Sequence, residues 1–258
     1  MDKKIIMLVG RGQSARFMYN GIKDTFNIEH IVITGNKVGG SKKKFLKRRI
    51  KRLGYIEVFG QVLFQGICVK LLRKTSKKRV QDLKTQLGLS FEEYPKEKLI
   101  DVGPVNSDVS LETLKKINPD VIIVNGTAII KKKILDALNA TIVNTHAGIT
   151  PRYRGVHGGY WALANKDQAH CGVTVHLVDQ GIDTGNIVYQ DTIEITKQDN
   201  FITYPYLQIA KGIELMKQTL SDILEGTLKT TKSTGKSKLW YHPTIWKYLY
   251  CRVFRGVK

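Results

Sequence analysis

The chain has 258 residues, with 42 Lys or Arg against 22 Asp or Glu, which gives a net charge of +20. An apolar fraction of 42% with 25% charged residues excludes a disordered chain and fits a folded domain with a substantial core. The three cysteines, Cys68, Cys171 and Cys251, lie far apart and in no metal-ligand spacing. This pattern and the lack of a signal peptide before the first strand predict a cytoplasmic protein without a metal site.

The positive charge is concentrated in two segments. Residues 41–79 contain fourteen Lys or Arg and one Glu, and residues 228–258 contain eight Lys or Arg and no acid. The remainder of the chain is therefore close to neutral. We predict one main domain over residues 1–228 that carries a basic helical insertion at about 41–98, followed by a basic aromatic tail over 229–258.

The first predicted elements form a strand, a turn and a helix. The apolar run Ile5–Val9 is a buried strand, and a turn with Gly10 and Gly12 leads into a helix from about Ser14 to Thr25. This glycine pattern is typical of dinucleotide-binding turns, but the second strand, which reaches Thr34, is not followed by the acid that would bind a ribose. We interpret the turn as a helix N-terminus that faces a phosphate of the substrate, with a packing turn as the alternative.

The insertion contains one long apolar helix between basic clusters. Over Leu53–Leu72, the residues Glu57, Gln61 and Gln65 recur every four positions and form a narrow polar stripe, while the rest of the helix surface is apolar. These polar residues and three glycines argue against a transmembrane span. An apolar face flanked by bases favours an interfacial helix on anionic lipid. A helix docked on the protein and a nucleic-acid contact are the alternatives.

The remaining elements alternate between strands and helices, as in an α/β fold. Strands are predicted at Phe91–Pro95, Val121–Val124, Thr141–Val143, Gly172–Leu177 and Ile187–Ile193, and helices at about Ser107–Ile117, Lys131–Leu138, Tyr160–Ala164 and Ile202–Leu224. The tail mixes Trp and Tyr with bases, a composition typical of a membrane interface or a partner groove.

Three polar side chains are predicted to converge at the carboxyl ends of two strands. Asn144 and His146 follow the strand at Thr141–Val143 with one residue between them, so both point to the same side of the extended chain. Asp183 lies in the turn after the strand at Gly172–Leu177. In open α/β sheets, ligands bind outside the carboxyl ends of the strands. An amide, an imidazole and a carboxylate are therefore expected at the ligand site.

Four motifs in this order resemble those of the folate-dependent formyltransferases: N-x-H at Asn144–His146, P-x-Y-R-G at Pro151–Gly155, G-V-T-V-H at Gly172–His176 and D-x-G-I-D-T-G at Asp179–Gly185. That family includes glycinamide ribonucleotide transformylase, methionyl-tRNA formyltransferase and the sugar N-formyltransferases. The resemblance implies an α/β, Rossmann-like, mostly parallel sheet with helices on both faces. It also implies 10-formyltetrahydrofolate as the formyl donor and Asn144, His146 and Asp183 as the catalytic residues. The residues implied to wall the pterin pocket are Thr127, Ala128, Ile129, Leu177, Val178, Asp179, Gly181 and Ile182.

The chemistry of formyl transfer explains why these residue types suit it. An amine attacks the formyl carbon through a tetrahedral oxyanion, so the site must donate a hydrogen bond to that oxygen and accept a proton from the amine. The Asn144 amide can donate without titrating, His146 changes charge near neutral pH, and Asp183 can orient the imidazole. We interpret His176 as structural or pocket-lining and predict no role for His242.

The loop after His146 resembles the sugar N-formyltransferases more than the purine enzymes. Gly148 stands where the purine enzymes usually have a serine, and P-x-Y-R-G-x-H is followed by an aromatic residue. This resemblance implies an amino group on a nucleotide-linked or lipid-linked sugar as the acceptor. The implied substrate-binding residues are Gly10, Gly12, Arg152, Tyr153, Arg154, Gly155, His157 and Trp161.

Several alternatives share these residues. Formylation of phosphoribosylglycinamide and hydrolysis of the formyl folate need the same amide, imidazole and carboxylate. A lipid- or nucleic-acid-binding protein on this fold is the non-enzymatic alternative, and the intact set of three residues argues against it. Transfer to initiator tRNA is disfavoured because little more than thirty residues follow Gly226. A homodimer and attachment to the inner face of the membrane are further hypotheses.

Overall fold

The order of the strands determines which carboxyl ends meet. The computed structural model describes residues 3–35 and 42–258. The strands in these ranges are β1 (Ile5–Val9), β2 (Ile28–Thr34), β3 (Leu99–Gly103), β4 (Val121–Asn125), β5 (Thr141–His146), β6 (Arg154–Gly155), β7 (Gly172–Leu177), β8 (Ile187–Thr192) and β9 (Leu239–Trp240). Seven of these described strands form one sheet in the order β3-β2-β1-β4-β5-β7-β8, in which the first five are parallel and β7 is antiparallel to both of its neighbours. The predicted Rossmann-like, mostly parallel sheet is confirmed.

Helices cover both faces of this sheet, as predicted. The described helices are α1 (Gln13–Ile22), α2 (Lys42–Leu53), α3 (Tyr55–Leu63), α4 (Val69–Thr75), α5 (Lys77–Gln86), α6 (Asp108–Ile117), α7 (Lys132–Leu135), α8 (Gly158–Ala164), α9 (Tyr204–Glu225) and α10 (Ile245–Phe254). Side chains of α1, α9 and α10 share a hydrophobic core with one face of the sheet, and those of α6 and α7 share a second core with the other face. Residues 36–41, which include the predicted start of the insertion, lie outside the described ranges.

Strand β1 shows why these residues form a buried parallel strand. Ile5, Met7 and Val9 belong to the core beneath α1 and α9, whereas Ile6 and Leu8 belong to the core beneath α6. Helices cover both faces of a parallel strand, so the strand needs apolar residues at every position. All of its residues are accordingly buried.

The strand predicted near residue 91 is wrong. The described backbone is irregular at Phe91–Pro95, and the next strand, β3, begins at Leu99. The aromatic side chains of the irregular segment pack on α1 instead of facing a neighbouring strand. The ring centroids of Phe17 and Phe91 lie 5.6 Å apart, and those of Tyr19 and Tyr94 lie 5.3 Å apart. Packing on a helix has therefore replaced strand pairing in this segment.

The tail contains a helix that the sequence pattern did not predict. Before α10, the side-chain oxygen of Thr244 accepts a hydrogen bond from the backbone N–H of Lys247 at 3.3 Å. This is the usual N-cap arrangement. The buried side chains of Tyr248 and Cys251 attach α10 to the main core. By contrast, the helix predicted over Lys131–Leu138 is reduced to the short helix α7.

The insertion packs on the domain. Helix α3, a π-helical turn and α4 form one continuous helix, Tyr55–Thr75. By length and composition this helix is apolar enough to cross a membrane, with a mean hydropathy of 1.4, although 39% of its apolar window is buried in the protein. After α4, the guanidinium of Arg79 donates two hydrogen bonds, at 2.9 and 3.1 Å, to the buried carboxylate of Asp199. This ion pair anchors the insertion near the start of α9.

Candidate active site

His146 is held at the end of β5 by two contacts of opposite character. Its Nε2 atom lies 2.7 Å from the carbonyl oxygen of Tyr153, which can only accept, so Nε2 carries the proton. Its Nδ1 atom lies 3.4 Å from Oδ2 of Asp183. Burial lowers the pKa of His146 below its usual value, and the attraction of Asp183 offsets this only in part. The imidazole is therefore neutral at pH 7 and presents a lone pair on Nδ1.

Asn144 and Asp183 are connected through a buried histidine. His176 lies directly opposite Asn144 in the antiparallel pairing of β5 and β7, and Nδ2 of Asn144 donates to Nε2 of His176 at 3.1 Å. Nδ1 of His176 donates to the carbonyl oxygen of Leu177 at 2.8 Å, which selects the tautomer. Nε2 of His176 also lies 3.7 Å from Oδ1 of Asp183. His176 thus contacts both other polar side chains.

Asp183 remains ionised in spite of its burial. Burial would raise the pKa of this carboxyl, but its interactions with the imidazoles of His176 and His146 and with the N–H of Gly155 outweigh burial and lower the pKa to about 2. The Gly155 N–H donates to Oδ2 at 2.9 Å. The backbone of Asp183 has a φ of 52°, in the left-handed region that few residues other than glycine adopt. This conformation aims the carboxylate at the two histidines.

Hydrogen bonds on both sides stabilise the turn that carries Asp183. The carboxylate of Asp179 accepts from the hydroxyl of Thr184 at 2.7 Å. Nη1 of Arg154 donates to the carbonyl oxygen of Ile182 at 3.0 Å. Asp179 and Arg154 therefore act on the shape of the turn, which sets the position of the carboxylate.

The residues expected to wall the pterin pocket lie in two loops. In the loop that leads to Asp183, the apolar side chains of Leu177, Val178 and Ile182 are half-buried. Asp179 and Gly181 in the same loop are exposed. In the loop after β4, Thr127 and Ala128 share a cavity of about 360 Å³ with Gly10, and Ile129 is 53% exposed. Apolar side chains next to accessible backbone are what a flat heteroaromatic ring such as a pterin requires. Each loop offers these features, but residues 177–182 do not line the cavity beside Thr127, so a shared pterin pocket stays a prediction.

The glycine turn after β1 lies at the same edge of the sheet. The N–H of Gly10 donates to the carbonyl oxygen of Asn125 at 2.9 Å, and a Cβ atom on Gly10 would lie 2.0 Å from the carbonyl oxygen of Gly126. Only glycine allows β1 and β4 to end so close together. Gly12 then stands at the N-cap of α1. The turn brings the N-terminus of α1 to the crevice between β1 and β4.

Three of the residues expected to contact the substrate form hydrogen bonds within the protein. The hydroxyl of Tyr153 and the guanidinium of Arg152 both donate to Asp167, at 2.8 and 2.9 Å. The indole of Trp161 is 4% exposed and donates to the carbonyl oxygen of Tyr241 at 2.8 Å. Tyr153 and Trp161 are buried and support the loop around the site, whereas the side chain of Arg152 remains 44% exposed beside its bond to Asp167.

A larger cavity, of about 750 Å³, has a wall that does not include Asn144, His146 or Asp183. Its wall includes Ser14 at the start of α1 and His157, two residues beyond the glycine that binds Asp183. The insertion contributes two bases to the wall, Arg73 and Lys77. The cavity therefore lies between the main α/β domain and the basic insertion.

His242 links the tail, the insertion and the cavity wall. Its Nδ1 atom lies 2.9 Å from Nε2 of Gln65 and 2.9 Å from Nε2 of His157. Since the amide nitrogen of Gln65 can only donate, Nδ1 of His242 accepts from both partners. Burial lowers the pKa of His157 to about 3 and that of His242 to about 4, so both are neutral. The sequence offered no signal for His242, because its partners are distant in the chain.

Within residues 3–35 and 42–258, no group of three or more His, Cys, Asp or Glu is arranged to hold a metal ion.

The fold is that of a Rossmann-like α/β protein with a polar candidate site at the carboxyl end of β5. A model of the formyl transferase family matches residues 68–206, more than half of the chain. The chain belongs to the formyl transferase family, whose members transfer formyl groups.

The curated relatives are longer than this chain. The methionyl-tRNA formyltransferase of Thermodesulfovibrio yellowstonii is 33% identical over 144 residues, which cover 55% of this chain and 46% of that protein. The chain thus spans about half the length of the curated relatives it matches.

Solved structures with the same fold include enzymes for different acceptors. A sugar N-formyltransferase from Shewanella superposes with a TM-score of 0.56 and 14% identity, over 92% of this chain and 76% of that chain. The N-formyltransferase of Helicobacter canadensis, solved in complex with folinic acid and dTDP-3-aminofucose, has a TM-score of 0.54 and 19% identity, over 93% and 71%. The phosphoribosylglycinamide formyltransferase of Anaplasma phagocytophilum has a TM-score of 0.57 and 14% identity, over 93% and 98%. At these identities the likeness shows the fold.

Proposed function

We propose that this protein transfers a formyl group from 10-formyltetrahydrofolate to a primary amine, and that Asn144, His146 and Asp183 are its catalytic residues. The observation that carries the proposal is the 3.4 Å approach of neutral His146 to ionised Asp183, beside an amide that can donate. A lone pair facing a carboxylate is electrostatically unfavourable until a donor binds to both. The N–H of an incoming amine is such a donor. His146 and Asp183 together therefore favour binding of an amine next to the groups that can accept its proton.

The reaction needs one bond formed, one bond broken and one proton moved. The acceptor nitrogen bonds to the formyl carbon, its proton passes to Nδ1 of His146 or to a water held by Asp183, and the bond from the formyl carbon to N10 of the folate breaks as N10 takes up a proton. The second N–H of Asn144 donates to the oxyanion that develops in between. Asp183 stabilises the imidazolium formed on His146.

The proposed acceptor is an amino sugar that carries an anionic group, such as a nucleotide or a lipid phosphate. The 750 Å³ cavity supports this choice because Arg73, Lys77 and the N-terminus of α1 border it, and all three attract phosphate. The Helicobacter canadensis neighbour with its bound dTDP-3-aminofucose is consistent with the same acceptor class.

We assign the catalytic domain to residues 1–228 and place the protein in the cytoplasm. The tail over 229–258 would complete the cavity through His242.

The test is release of tetrahydrofolate from 10-formyltetrahydrofolate by the full chain. Candidate acceptors are nucleotide-linked amino sugars, phosphoribosylglycinamide and initiator methionyl-tRNA, with an acceptor-free arm. Asn144→Ala and Asp183→Ala should abolish turnover, whereas Lys115→Ala on the far side of the sheet should not. Turnover that depends on an amino sugar supports the proposal. Equal turnover without any acceptor would show a folate hydrolase, and turnover with only one of the other acceptors would reassign the substrate.

A further inference from the structure

The long helix of the insertion turns its polar stripe inward and leaves apolar residues outside. Gln61 is 2% exposed and Gln65 contacts His242, whereas Ile56 and Phe59 are 78% and 61% exposed. A helix docked on a soluble domain normally presents its polar side to water. The outward side of this helix is thus arranged for a non-aqueous neighbour.

Helix α10 of the tail extends this apolar surface. The ring of Trp246 lies against Gly60, where an added Cβ atom would be 2.2 Å from it, and the ring centroids of Phe64 and Tyr248 are 4.9 Å apart. The later residue of the insertion helix thus contacts the later residue of α10, so the two helices run side by side in the same direction. Because each helix buries one side in the shared core, their opposite sides face outward together.

We call this surface the apolar face and define it by six residues that are between 55% and 78% exposed: Ile56, Phe59, Ile67, Leu71, Val253 and Phe254. Single exposed apolar residues are ordinary, but six of them on two helices that pack against each other indicate a binding surface. The two segments that build it are the two basic appendages of an otherwise neutral chain.

Exposed bases lie on the two helices that carry the apolar face and on α2. Exposed Lys or Arg side chains precede it on α2, lie along it on the insertion helix and flank it on α10; they include Lys51, Arg52, Lys70, Lys74, Lys247 and Arg252. Between residues 46 and 79 the only acid is Glu57, and residues 228–258 contain none. A surface with an apolar centre and a positive rim complements a bilayer that carries anionic headgroups over a hydrocarbon layer.

We propose that the apolar face binds the surface of an anionic lipid bilayer, with both helices lying in the plane of the interface. A transmembrane arrangement would pull the inner side of the helix, including Phe64 and Val69, out of the core. Self-association would bring two positive rims together, which repel each other. Nucleic acid would use the bases but gain little from exposed aliphatic side chains such as Ile56 and Leu71.

The same helix that carries the apolar face also walls the 750 Å³ cavity with Gln65, Val69 and Arg73. Docking would therefore hold the cavity next to the headgroups. If the proposed function is right, this geometry favours an acceptor amine that is itself carried by a membrane lipid through a phosphate. The binding of the bilayer does not depend on that function.

The experiment is flotation of the full chain with phosphatidylcholine vesicles that contain 30% phosphatidylglycerol, compared with pure phosphatidylcholine vesicles. The outer-face variant is Ile56→Ser, Phe59→Ser and Phe254→Ser. Its matched control is Val109→Ser, Lys115→Gln and Lys116→Gln on α6, which packs on the opposite face of the sheet. We expect at least tenfold tighter binding to the anionic vesicles, a clear loss at 0.5 M salt, and at least a tenfold loss in the outer-face variant but not in its control.

Several results would overturn the proposal. They are an absence of vesicle binding, equal binding to both vesicle types, and retention of binding by a folded outer-face variant. Resistance of the bound protein to extraction at alkaline pH would indicate a spanning helix instead. A stable dimer in solution that is abolished by the outer-face variant would assign the face to a second copy. Because no formyl acceptor is used, failure here leaves the proposed catalytic function standing, and loss of formyl transfer leaves this proposal standing.

Discussion

Nδ1 of His146 lies 3.4 Å from Oδ2 of Asp183, while Nε2 of the same ring donates to the carbonyl oxygen of Tyr153 at 2.7 Å. The backbone carbonyl fixes which nitrogen is protonated, and the carboxylate determines what the other nitrogen can bind. A neutral ring in this position can only be satisfied by a donor that also faces Asp183. The two contacts together make the site specific for an N–H or O–H group.

Asp183→Asn is expected to lower the pKa of His146 further and to reduce formyl transfer by at least 10²-fold. The carboxylate is the main influence that raises the pKa of this buried histidine, so its removal leaves burial unopposed. The pKa can be followed by NMR titration of the imidazole, and the rate by release of tetrahydrofolate. The pKa of His157, which burial and His242 set, should not move. A higher pKa of His146 in the variant would contradict this account.

His176→Leu should lower kcat about tenfold or more without a matching change in KM for the formyl donor. The substitution removes the acceptor that orients the Asn144 amide and a partner of Asp183, so transition-state stabilisation suffers more than binding. His176→Asn, which keeps a polar side chain at this position, should recover part of the rate. Steady-state kinetics on both variants separate a positioning role from a structural one, because a purely structural defect would not be rescued by asparagine.

The free energy of unfolding should fall as the pH drops from about 6.5 towards 4. The unfolded chain binds a proton to each histidine near pH 6.5, whereas burial lowers the pKa of His157 to about 3 and that of His242 to about 4 in the folded protein. In this window the unfolded state binds more protons, so acid favours it, by up to about 1.4 kcal/mol per pH unit for each histidine. Urea titrations at several pH values measure the slope. The double variant His157→Gln and His242→Gln should reduce the slope of the free energy of unfolding against pH. An unchanged slope would show that other groups cause the pH dependence.

Asp199→Ala should destabilise the protein by about 3 kcal/mol, because it leaves Arg79 partly buried without its partner. The same substitution at Asp136, whose ion pair with Lys132 is exposed, should change stability by less than about 1 kcal/mol. Chemical denaturation of both variants tests the difference. Equal effects would mean that the Arg79–Asp199 pair does not anchor the insertion.

Arg73→Ala and Lys77→Ala should each raise KM for an anionic acceptor about tenfold or more, since each removes a charged group from the cavity wall. The KM for 10-formyltetrahydrofolate should stay the same. Lys115→Ala provides a control of equal charge change far from the cavity. If the KM for the acceptor and the KM for 10-formyltetrahydrofolate rise by the same factor, these bases affect the overall fold or the electrostatic potential of the protein and do not contact the acceptor.

The motifs around Asn144 and Asp183 were sufficient to predict the fold and its family, because an α/β sheet places the carboxyl ends of neighbouring strands at one edge. Buried parallel strands such as β1 are continuous apolar runs, which local sequence reveals directly. The charge segregation also located the insertion and the tail. All of these are properties of short segments or of their order in the chain.

Only the tertiary structure showed that His176 lies opposite Asn144 and that His242 reaches Gln65 and His157, because these contacts join residues far apart in the sequence. It also decided which side of the insertion helix is buried. The sequence determined that the helix is apolar nearly all round with one polar stripe, but a helix of that kind can dock on the domain by either side. Packing against Phe201 and α10 turned the stripe inward and left the apolar face outside.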